Sequence, residues 1–172
     1  MSRDATTPAQ AEETFWKSLK ESNTGMLGLD RPGYHAQPMT GFGEPETGTI
    51  WFFTRNDTDF ARDVAAENGS GGGPSGMFTY QAKDQKVQAC IHGALSIDHD
   101  RERIDRFWNP VVAAWYPDGK DDPALTLIRF DAKDGRVWAS DIGVLGFGYQ
   151  VLKANLTKST PELGDVADVK LD

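Results

Sequence analysis

The sequence predicts a mainly β fold of the α+β class, in which roughly six antiparallel strands form a small barrel with peripheral helices. Two observations lead to this prediction. Short apolar runs are separated by turn signals and joined mostly as hairpins, and the helical patterns do not alternate strictly with the strands. Closure into a barrel would also remove the exposed sheet edges that a chain rich in apolar strands has to protect.

The composition predicts one globular domain covering residues 1–172. Hydrophobic residues make up 38% and charged residues 26% of the chain, whose length suffices to bury a single core. The chain has 18 Lys and Arg residues against 26 Asp and Glu residues, which gives a net charge of −8. Because such a field repels a phosphate backbone, the composition argues against nucleic acid as the main partner.

The sequence also predicts a cytoplasmic protein that has no membrane partner. The first residues lack the apolar core of a signal peptide, and no apolar run approaches the ~20 residues that cross a bilayer. The only cysteine, Cys90, excludes an internal disulfide. Its apolar neighbours favour a small buried residue over a nucleophile.

The first third of the chain predicts one helix followed by three strands. Residues 8–22 carry an amphipathic pattern, with Thr7 as the N-cap and Pro8 at the first helical position. The next apolar runs predict a hairpin and a third strand: Thr24–Asp30, Tyr34–Phe42 and Thr49–Thr54. The third strand has aromatic residues on both faces, as expected where one face meets the core and the other a partner or ligand.

The middle of the chain predicts two helices, a loop and a strand pair. Asp57–Asn68 predicts a short helix capped by Thr58 or Asp57. Gly69–Gly76 contains five glycines, which predicts an open loop that acts as a spacer or a lid. The strand pair and the second helix, with Asp98 as its cap and Pro110 as its stop, are predicted over Met77–Ala82, Lys86–Ile97 and His99–Trp108.

The last third predicts another hairpin and a helical C-terminal region. The Asp-Gly pair at positions 134 and 135 marks a turn between strands Ala124–Phe130 and Arg136–Ser140. Residues 143–172 predict a C-terminal helix and a tail, and Gly143–Lys158 has the helical spacing. In the tail, Val166–Leu171 forms a last short strand or remains loose.

No familiar catalytic or metal-binding motif stands out. The sequence lacks a nucleophile elbow, a Walker-type loop and a dinucleotide fingerprint. The three histidines, His35, His92 and His99, lack the spacing of a helical metal pair, which predicts no metal site. Asp121 and Asp122 would suit acid–base chemistry or a divalent ion, but their neighbours favour a solvated turn.

An aromatic, proline-rich segment, Phe107–Pro123, is the most unusual stretch of the chain. Prolines stiffen it, and Trp108, Trp115 and Tyr116 supply flat apolar faces. Such a segment can line a core, a subunit interface or the wall of a pocket for a planar ligand. Residue spacing alone leaves these alternatives open.

Four blocks give the chain a resemblance to a known family. They are Ala36–Thr40, Ile50–Thr54, the run Phe107–Leu127 and Arg136–Trp138. In their order and spacing the sequence resembles the general stress protein 26 group of the pyridoxamine 5′-phosphate oxidase-like, flavin-binding split-barrel proteins. The resemblance extends over nearly the whole chain after the first helix.

The resemblance implies a homodimeric six-stranded antiparallel split β-barrel with flavin mononucleotide (FMN) sites at the dimer interface. FAD, or no flavin, remains the alternative. By matching position, the residues that border the isoalloxazine ring and ribityl chain are Gln37, Pro38, Met39, Thr40, Phe53, Thr54 and Arg55. Trp108 and Trp115 are the candidates for a cover from the second subunit.

The chain departs from the family pattern where the flavin phosphate is expected. Basic residues commonly hold this phosphate at positions that here read Asp59 and Phe60. Arg55 and Arg62 are candidates to compensate, and Thr58 can offer its hydroxyl group and nearby backbone N–H groups. Gln37 also stands where arginine is frequent in the family.

These features lead to two functional hypotheses. The first is a flavin-binding, stress-related protein, an FMN-dependent oxidoreductase of unknown substrate, which requires no protein nucleophile. The alternative is a split-barrel dimer that has lost tight binding of the flavin phosphate and acts as a binding or scaffolding protein. Oxidation of pyridoxamine phosphate is a weaker third hypothesis, because basic residues for a second phosphate are not evident.

Overall fold

In a computed structural model, residues 7–69, 72–140, 152–158 and 164–172 are described. The strands are β1 Thr24–Leu29, β2 Gln37–Glu44, β3 Thr49–Arg55, β4 Ser75–Gln81, β5 Val87–Asp98, β6 Leu125–Ala139 and β7 Asp165–Lys170. The helices are α1 Pro8–Glu21, α2 Asp59–Ala66, α3 Arg101–Phe107, α4 Pro110–Ala113 and α5 at residues 152–157, with 3-10 turns at Pro45–Thr47 and Gly119–Asp121.

Six antiparallel strands close a barrel, which confirms the predicted fold class. Their order is β3-β2-β1-β4-β5-β6, and β6 pairs back with β3 from Thr49–Asp131 to Arg55–Leu125. The seventh strand, β7, extends the sheet beyond β6. Of the two alternatives for Val166–Leu171, a short strand or a loose tail, the strand is therefore correct.

Helix α1 begins at Pro8, as its sequence signals predict, and ends at Glu21, one residue before the predicted end at position 22. The Thr7 side chain accepts a hydrogen bond from Gln10 N, and the Gln10 side chain accepts one from Thr7 N, which forms a capping box. Phe15 and Leu19 are fully buried against the barrel. The helix therefore covers part of the barrel with its apolar stripe.

The predicted hairpin at Asp134 and Gly135 is wrong, because β6 runs through both positions as one strand of 15 residues. Gly135 lies opposite Ile91 of β5 and Val169 of β7. A Cβ atom on Gly135 would lie 2.6 Å from Cys90 O, so glycine serves a close approach of backbones here instead of a turn. Neither residue of the pair has the positive φ that the predicted turn requires.

The strand faces divide the buried residues into two clusters. The inner cluster fills the barrel and includes Ile50 and Phe52, which alternate along β3 with Trp51 of the outer cluster. The outer cluster lies between β3, β6 and the segment from α3 to the second 3-10 turn, and its buried members are Trp51, Ile104, Val112, Tyr116, Leu125 and Leu127. The aromatic residues on both faces of β3 are thus explained by packing on both sides.

Two boundaries around α3 differ from the prediction. Asp98 still belongs to β5, opposite Leu127, and Asp100 caps the helix by accepting hydrogen bonds from Glu102 N and Arg103 N. Pro110 ends α3 as predicted but also starts α4, whose N-cap is Asn109. This four-residue helix was not predicted, because its pattern is too short to show a period.

The predicted glycine-rich loop ends earlier than expected, and the predicted C-terminal helix is described only in part. Ser75 and Gly76 belong to β4, and residues 70–71 of the predicted loop lie outside the described residues. Gly76 leaves no room for a side chain, since a Cβ atom there would lie 2.5 Å from the Leu95 side chain. Of the helix predicted at Gly143–Lys158, residues 143–151 lie outside the described residues, and residues 152–157 are helical.

Candidate functional site

The strands β2 and β3 part at one end of the barrel, and we consider this opening the candidate site. Their pairing ends at Gly41 and Phe52, with no further pair among the described residues. Beyond that point β2 extends to Gln37 beside β1, and β3 extends to Arg55 beside β6. Because backbone N–H and C=O groups require partners, two parted strand edges can offer donors and acceptors to a bound group.

The two segments with predicted flavin contacts border this opening from opposite sides. On β2, Pro38 and Thr40 are exposed, whereas Gln37 and Met39 are half-buried. The Gln37 side-chain amide lies 3.7 Å from the Met39 sulfur, and Met39 packs against the inner cluster. This segment therefore offers one firmly packed side chain and three accessible ones.

On β3, Thr54 lies buried beside a polar group that has no partner. It is directly opposite Thr126 of β6, whose Oγ1 atom is buried and makes no hydrogen bond with any described residue. A buried hydroxyl group without a partner is costly, and such groups are usually satisfied by water or a ligand. The barrel end at Thr54 thus has unused hydrogen-bonding capacity.

Phe53 forms the aromatic wall of the site together with residues of the same chain. Its ring contacts Phe42 at a centroid distance of 5.6 Å and Trp108 at 6.1 Å, both edge to face. Trp108 in turn lies 6.0 Å from the buried ring of Tyr116. Trp108, predicted as a cover from a second subunit, therefore packs on Phe53 of its own chain.

Trp115, the second predicted cover, is exposed instead of packed into this wall. Its side chain is 71% exposed, and Val111, four residues earlier on α4, is 72% exposed. Exposure of two large apolar side chains next to each other is typical of a surface that another molecule covers. The structure thus separates the two tryptophans into a packed one and an accessible one.

Arg55 and Thr58 lie where β3 leads into α2. The Thr58 hydroxyl group donates to Arg55 O at 3.0 Å and accepts from Ala61 N at 3.2 Å, so Thr58 is the N-cap of α2. The Arg55 guanidinium donates to both carboxylate oxygens of Asp57, at 3.0 and 2.8 Å. This hydrogen bond lowers the pKa of the Asp57 carboxyl group below its usual value.

The first turn of α2 carries a second arginine that is paired with an aspartate. Arg62 lies 3.3 Å from Asp59, and both side chains are largely exposed. Phe60 between them is buried in the inner cluster and contacts Tyr34. The expected phosphate region therefore contains two arginines and two carboxylates, which leaves no net charge.

Sequence reasoning missed a buried ionic cluster next to the aromatic wall. Glu44 is 4% exposed and accepts hydrogen bonds from Trp51 Nε1 at 3.0 Å and Arg106 at 2.5 Å. Arg103 lies 3.7 Å from the same carboxylate and over the Trp51 ring. Only the high aromatic and charged content of α3 and β3 pointed to this cluster, since Glu44 itself precedes a proline and looks like a turn residue.

The remaining polar candidates do not assemble a site in the part of the chain that is described. No group of three His, Cys, Asp or Glu residues there is placed to hold a metal ion. Cys90 is half-buried on the outer face of β5 instead of fully buried, and burial raises the pKa of its thiol. Asp122 is buried rather than solvated, and its carboxylate accepts from Ala124 N.

A membrane-spanning helix is likewise not found among the described residues, because none of their helices is both long and apolar enough.

Comparison with known proteins identifies the family of this chain. The family model described as pyridoxamine 5′-phosphate oxidase like matches residues 10–162. The chain belongs to this family. Among curated proteins no sequence matches this pyridoxamine 5′-phosphate oxidase-like chain.

Solved structures similar to this pyridoxamine 5′-phosphate oxidase-like chain include three general stress proteins. One from Jannaschia sp. CCS1, described as a general stress protein 26, is 33% identical with a TM-score of 0.80, over 94% of this chain and 99% of that chain. A general stress family protein from Xanthomonas campestris pv. campestris is 40% identical, with a TM-score of 0.66 over 81% and 90% of the two chains. A general stress FMN/FAD binding protein from Xanthomonas citri is 41% identical, with a TM-score of 0.67 over 76% and 89%.

Proposed function

We propose that this chain is a stress-related protein that binds FMN in the opening between β2 and β3. The observation that carries the proposal is the parting of the two strands at Gly41 and Phe52, beside the aromatic wall of Phe53 and Trp108. A flat ring with its own donors and acceptors suits such a site. The 41% identity to a general stress FMN/FAD binding protein supports this choice of ligand.

Within this proposal, Gln37–Thr40 and Phe53–Arg55 border the isoalloxazine ring and ribityl chain. The strand edges supply backbone hydrogen bonds, and Phe53, held by Phe42 and Trp108, supplies a rigid apolar wall. The unpartnered Thr126 hydroxyl group next to Thr54 fits a site that is completed by a ligand or by ordered water. Bound flavin supplies hydride and electron transfer, so the protein contributes binding and orientation.

The proposal assigns the phosphate to Arg55, Thr58 and Arg62. Each arginine is paired with an exposed aspartate on its own loop or turn, and solvent screening keeps such exposed ion pairs weak. Either guanidinium group can therefore turn to a phosphate at small cost. The N-terminal N–H groups of α2, capped by Thr58, add donors to the same region.

We further propose that the protein is a homodimer in the cytoplasm and that the second subunit completes the site. The opening lies on the surface of the single chain. Ligand sites, in contrast, usually bury about 70–90% of the surface of a drug-sized ligand. Trp115 and Val111 are exposed and available to cover a neighbouring subunit. A partner surface over the flavin would also exclude water from the reacting ring.

An absorbance spectrum of the purified protein, with and without added FMN, tests the proposal. We expect a flavin spectrum and micromolar or tighter binding, and the absence of both would refute the proposed function. Arg55→Ala and Arg62→Ala should each weaken binding of FMN by about tenfold, as loss of a charge-assisted hydrogen bond predicts. Arg136→Ala is the matched control, since Arg136 is an exposed arginine paired with Asp168 and lies outside the part of β6 that pairs with β3.

One observation favours the alternative of a dimer without tight flavin binding. The carboxylates of Asp57 and Asp59 cancel the charges of Arg55 and Arg62, so a phosphate meets no excess positive charge. Light scattering together with the FMN titration separates the two functions. A dimer that fails to bind FMN supports the scaffolding role, whereas a dimer that binds it supports the flavin-dependent oxidoreductase.

A further inference from the structure

A second cleft adjoins the Phe42 ring, which also contacts Phe53 of the aromatic wall. It has a volume of about 380 Å³ and separates the end of α1 from the end of α3. Its apolar lining consists of Trp16, Leu19, Phe42, Pro45 and Phe107. This volume is within the range of small-molecule sites, which is about 300–1,000 Å³.

The cleft follows an edge of β2 that has no neighbouring strand among the described residues. Gly41 N donates to Asn23 O at 2.7 Å, and β1 begins only at Thr24. Alternate residues of a strand direct their N–H groups to the same side, so the N–H group of Gly43 faces this open edge. A Cβ atom on Gly43 would lie 3.2 Å from the Trp16 ring, so this residue packs closely against the ring.

Two cations lie at the rim of the cleft. Lys20, in the last turn of α1, is exposed and makes no ion pair with a described residue. Arg106 uses one nitrogen for Glu44 and extends over the Phe107 ring at 5.3 Å. Glu46 is the one carboxylate in the lining. The rim thus places two cationic side chains, one of them shared with Glu44, over an aromatic interior.

From this combination we propose that the cleft binds a planar aromatic carboxylate. The aromatic ring of the ligand would lie between the side chains of Phe107 and Trp16, whose flat apolar faces would contact it. The carboxylate would accept hydrogen bonds from Lys20 and from the free nitrogens of Arg106. The open backbone edge at Gly43 supplies a donor that a second ligand oxygen can use.

The proposal is tested with 2-naphthoate and its neutral counterpart 2-naphthylmethanol, titrated into the full-length isotope-labelled protein and followed by NMR. We expect 2-naphthoate to bind about three- to tenfold more tightly than the alcohol, as one or two rim charges predict. The shifted signals should be the Trp16 indole N–H and the amides of Asn23, Gly41 and Gly43. Shifts elsewhere, no binding, or equal binding of both probes would overturn the proposal.

Two charge reversals on the same helix provide the control. Lys20→Glu should abolish the preference for 2-naphthoate over the alcohol, whereas Lys17→Glu, an exposed lysine outside the cleft lining, should change it by less than about twofold. If both variants lost the preference for 2-naphthoate equally, the preference would arise from the overall charge of the protein and the proposed site would be refuted. The titration is repeated with excess FMN, and competition between FMN and 2-naphthoate would assign the probe to the flavin opening and refute the second site.

Discussion

The Trp51 indole N–H donates a hydrogen bond of 3.0 Å to the carboxylate of Glu44, and both side chains are almost fully buried. This contact joins the end of β2 to the outer face of β3, and Arg106 extends the same network to α3. The aromatic wall of the candidate site packs against the buried cluster that contains Trp51. Its supporting residues lie outside the opening itself.

Removal of this charge should destabilise the protein strongly. We expect Glu44→Ala to lower the free energy of unfolding by about 2–4 kcal/mol, because it leaves the buried Trp51 indole N–H without an acceptor and removes the carboxylate that pairs with Arg106 and Arg103. Chemical denaturation measures the change. A double-mutant cycle with Trp51→Phe should give a coupling of about 1 kcal/mol, and a coupling near zero would contradict the contact.

The two tryptophans of the aromatic segment should respond differently to truncation. Trp108→Ala should cost about 1–3 kcal/mol of folding stability, since the ring packs on Phe53 and Tyr116. Trp115→Ala should change folding stability by less than about 0.5 kcal/mol, because its side chain is exposed. Thermal denaturation checks both values.

Subunit assembly and flavin affinity separate the roles of these tryptophans further. Trp115→Ala should weaken the proposed dimer, which sedimentation detects. If Trp108→Ala abolished dimerisation without a change in FMN affinity, Trp108 would have a packing role alone. Loss of FMN affinity in Trp108→Ala with an intact dimer would instead assign it to the flavin site.

The continuity of β6 can be tested at the position where a turn was expected. Gly135→Ala should destabilise the protein by about 1–3 kcal/mol, because the added methyl group meets Cys90 O and the Ile91 side chain. Asp134→Ala, next to it and exposed, should change stability by less than about 0.5 kcal/mol. Similar small effects at both positions would contradict the close strand approach.

Tyr116 predicts a distinct response at high pH. Burial raises the pKa of its hydroxyl group to about 12 in the folded protein, above the pKa of about 10 of an ordinary tyrosine. Between these values the unfolded state loses its proton first, so stability falls as pH rises through this window and is unaffected below it. In Tyr116→Phe, the loss of unfolding free energy across this pH window should be smaller by about 1–3 kcal/mol. The free energy of unfolding near neutral pH should be nearly unchanged.

The measurement is the free energy of unfolding as a function of pH for the wild type and Tyr116→Phe. Tyr34→Phe is the matched control, because the Tyr34 ring is only half-buried and the rise in its pKa is smaller. An identical pH dependence in the wild type and Tyr116→Phe would argue against burial of this hydroxyl group.

The sequence predicted those features that local chemistry determines. Helix α1 follows from Thr7, Pro8 and Gln10, which are within one turn of each other. The turn expected at Gly135 was wrong because the residues that approach this glycine closely, Cys90 and Ile91, belong to β5. The local sequence pattern around Gly135 contains no information on them. The same holds for Asp98, which pairing with β6 keeps in a strand.

The candidate site shows the same division. The segments bordering the opening were predicted through the family resemblance, and the structure brings them to one end of the barrel. The pairing of each arginine near α2 with a neighbouring aspartate depends on side-chain geometry, which spacing does not determine. The Glu44 cluster joins residues 62 positions apart and was accordingly not predicted.

The pairing of β3 with β6 has a consequence for how the chain is made. Thr49 and Asp131, which share a hydrogen bond at the closing seam, are 82 positions apart. The ribosome therefore has to synthesise β6 before the barrel can close by pairing of β3 with β6. Loop closure over such a separation is slow. Until then the nascent chain exposes the apolar inner faces of five strands, and we expect it to depend on chaperones during synthesis.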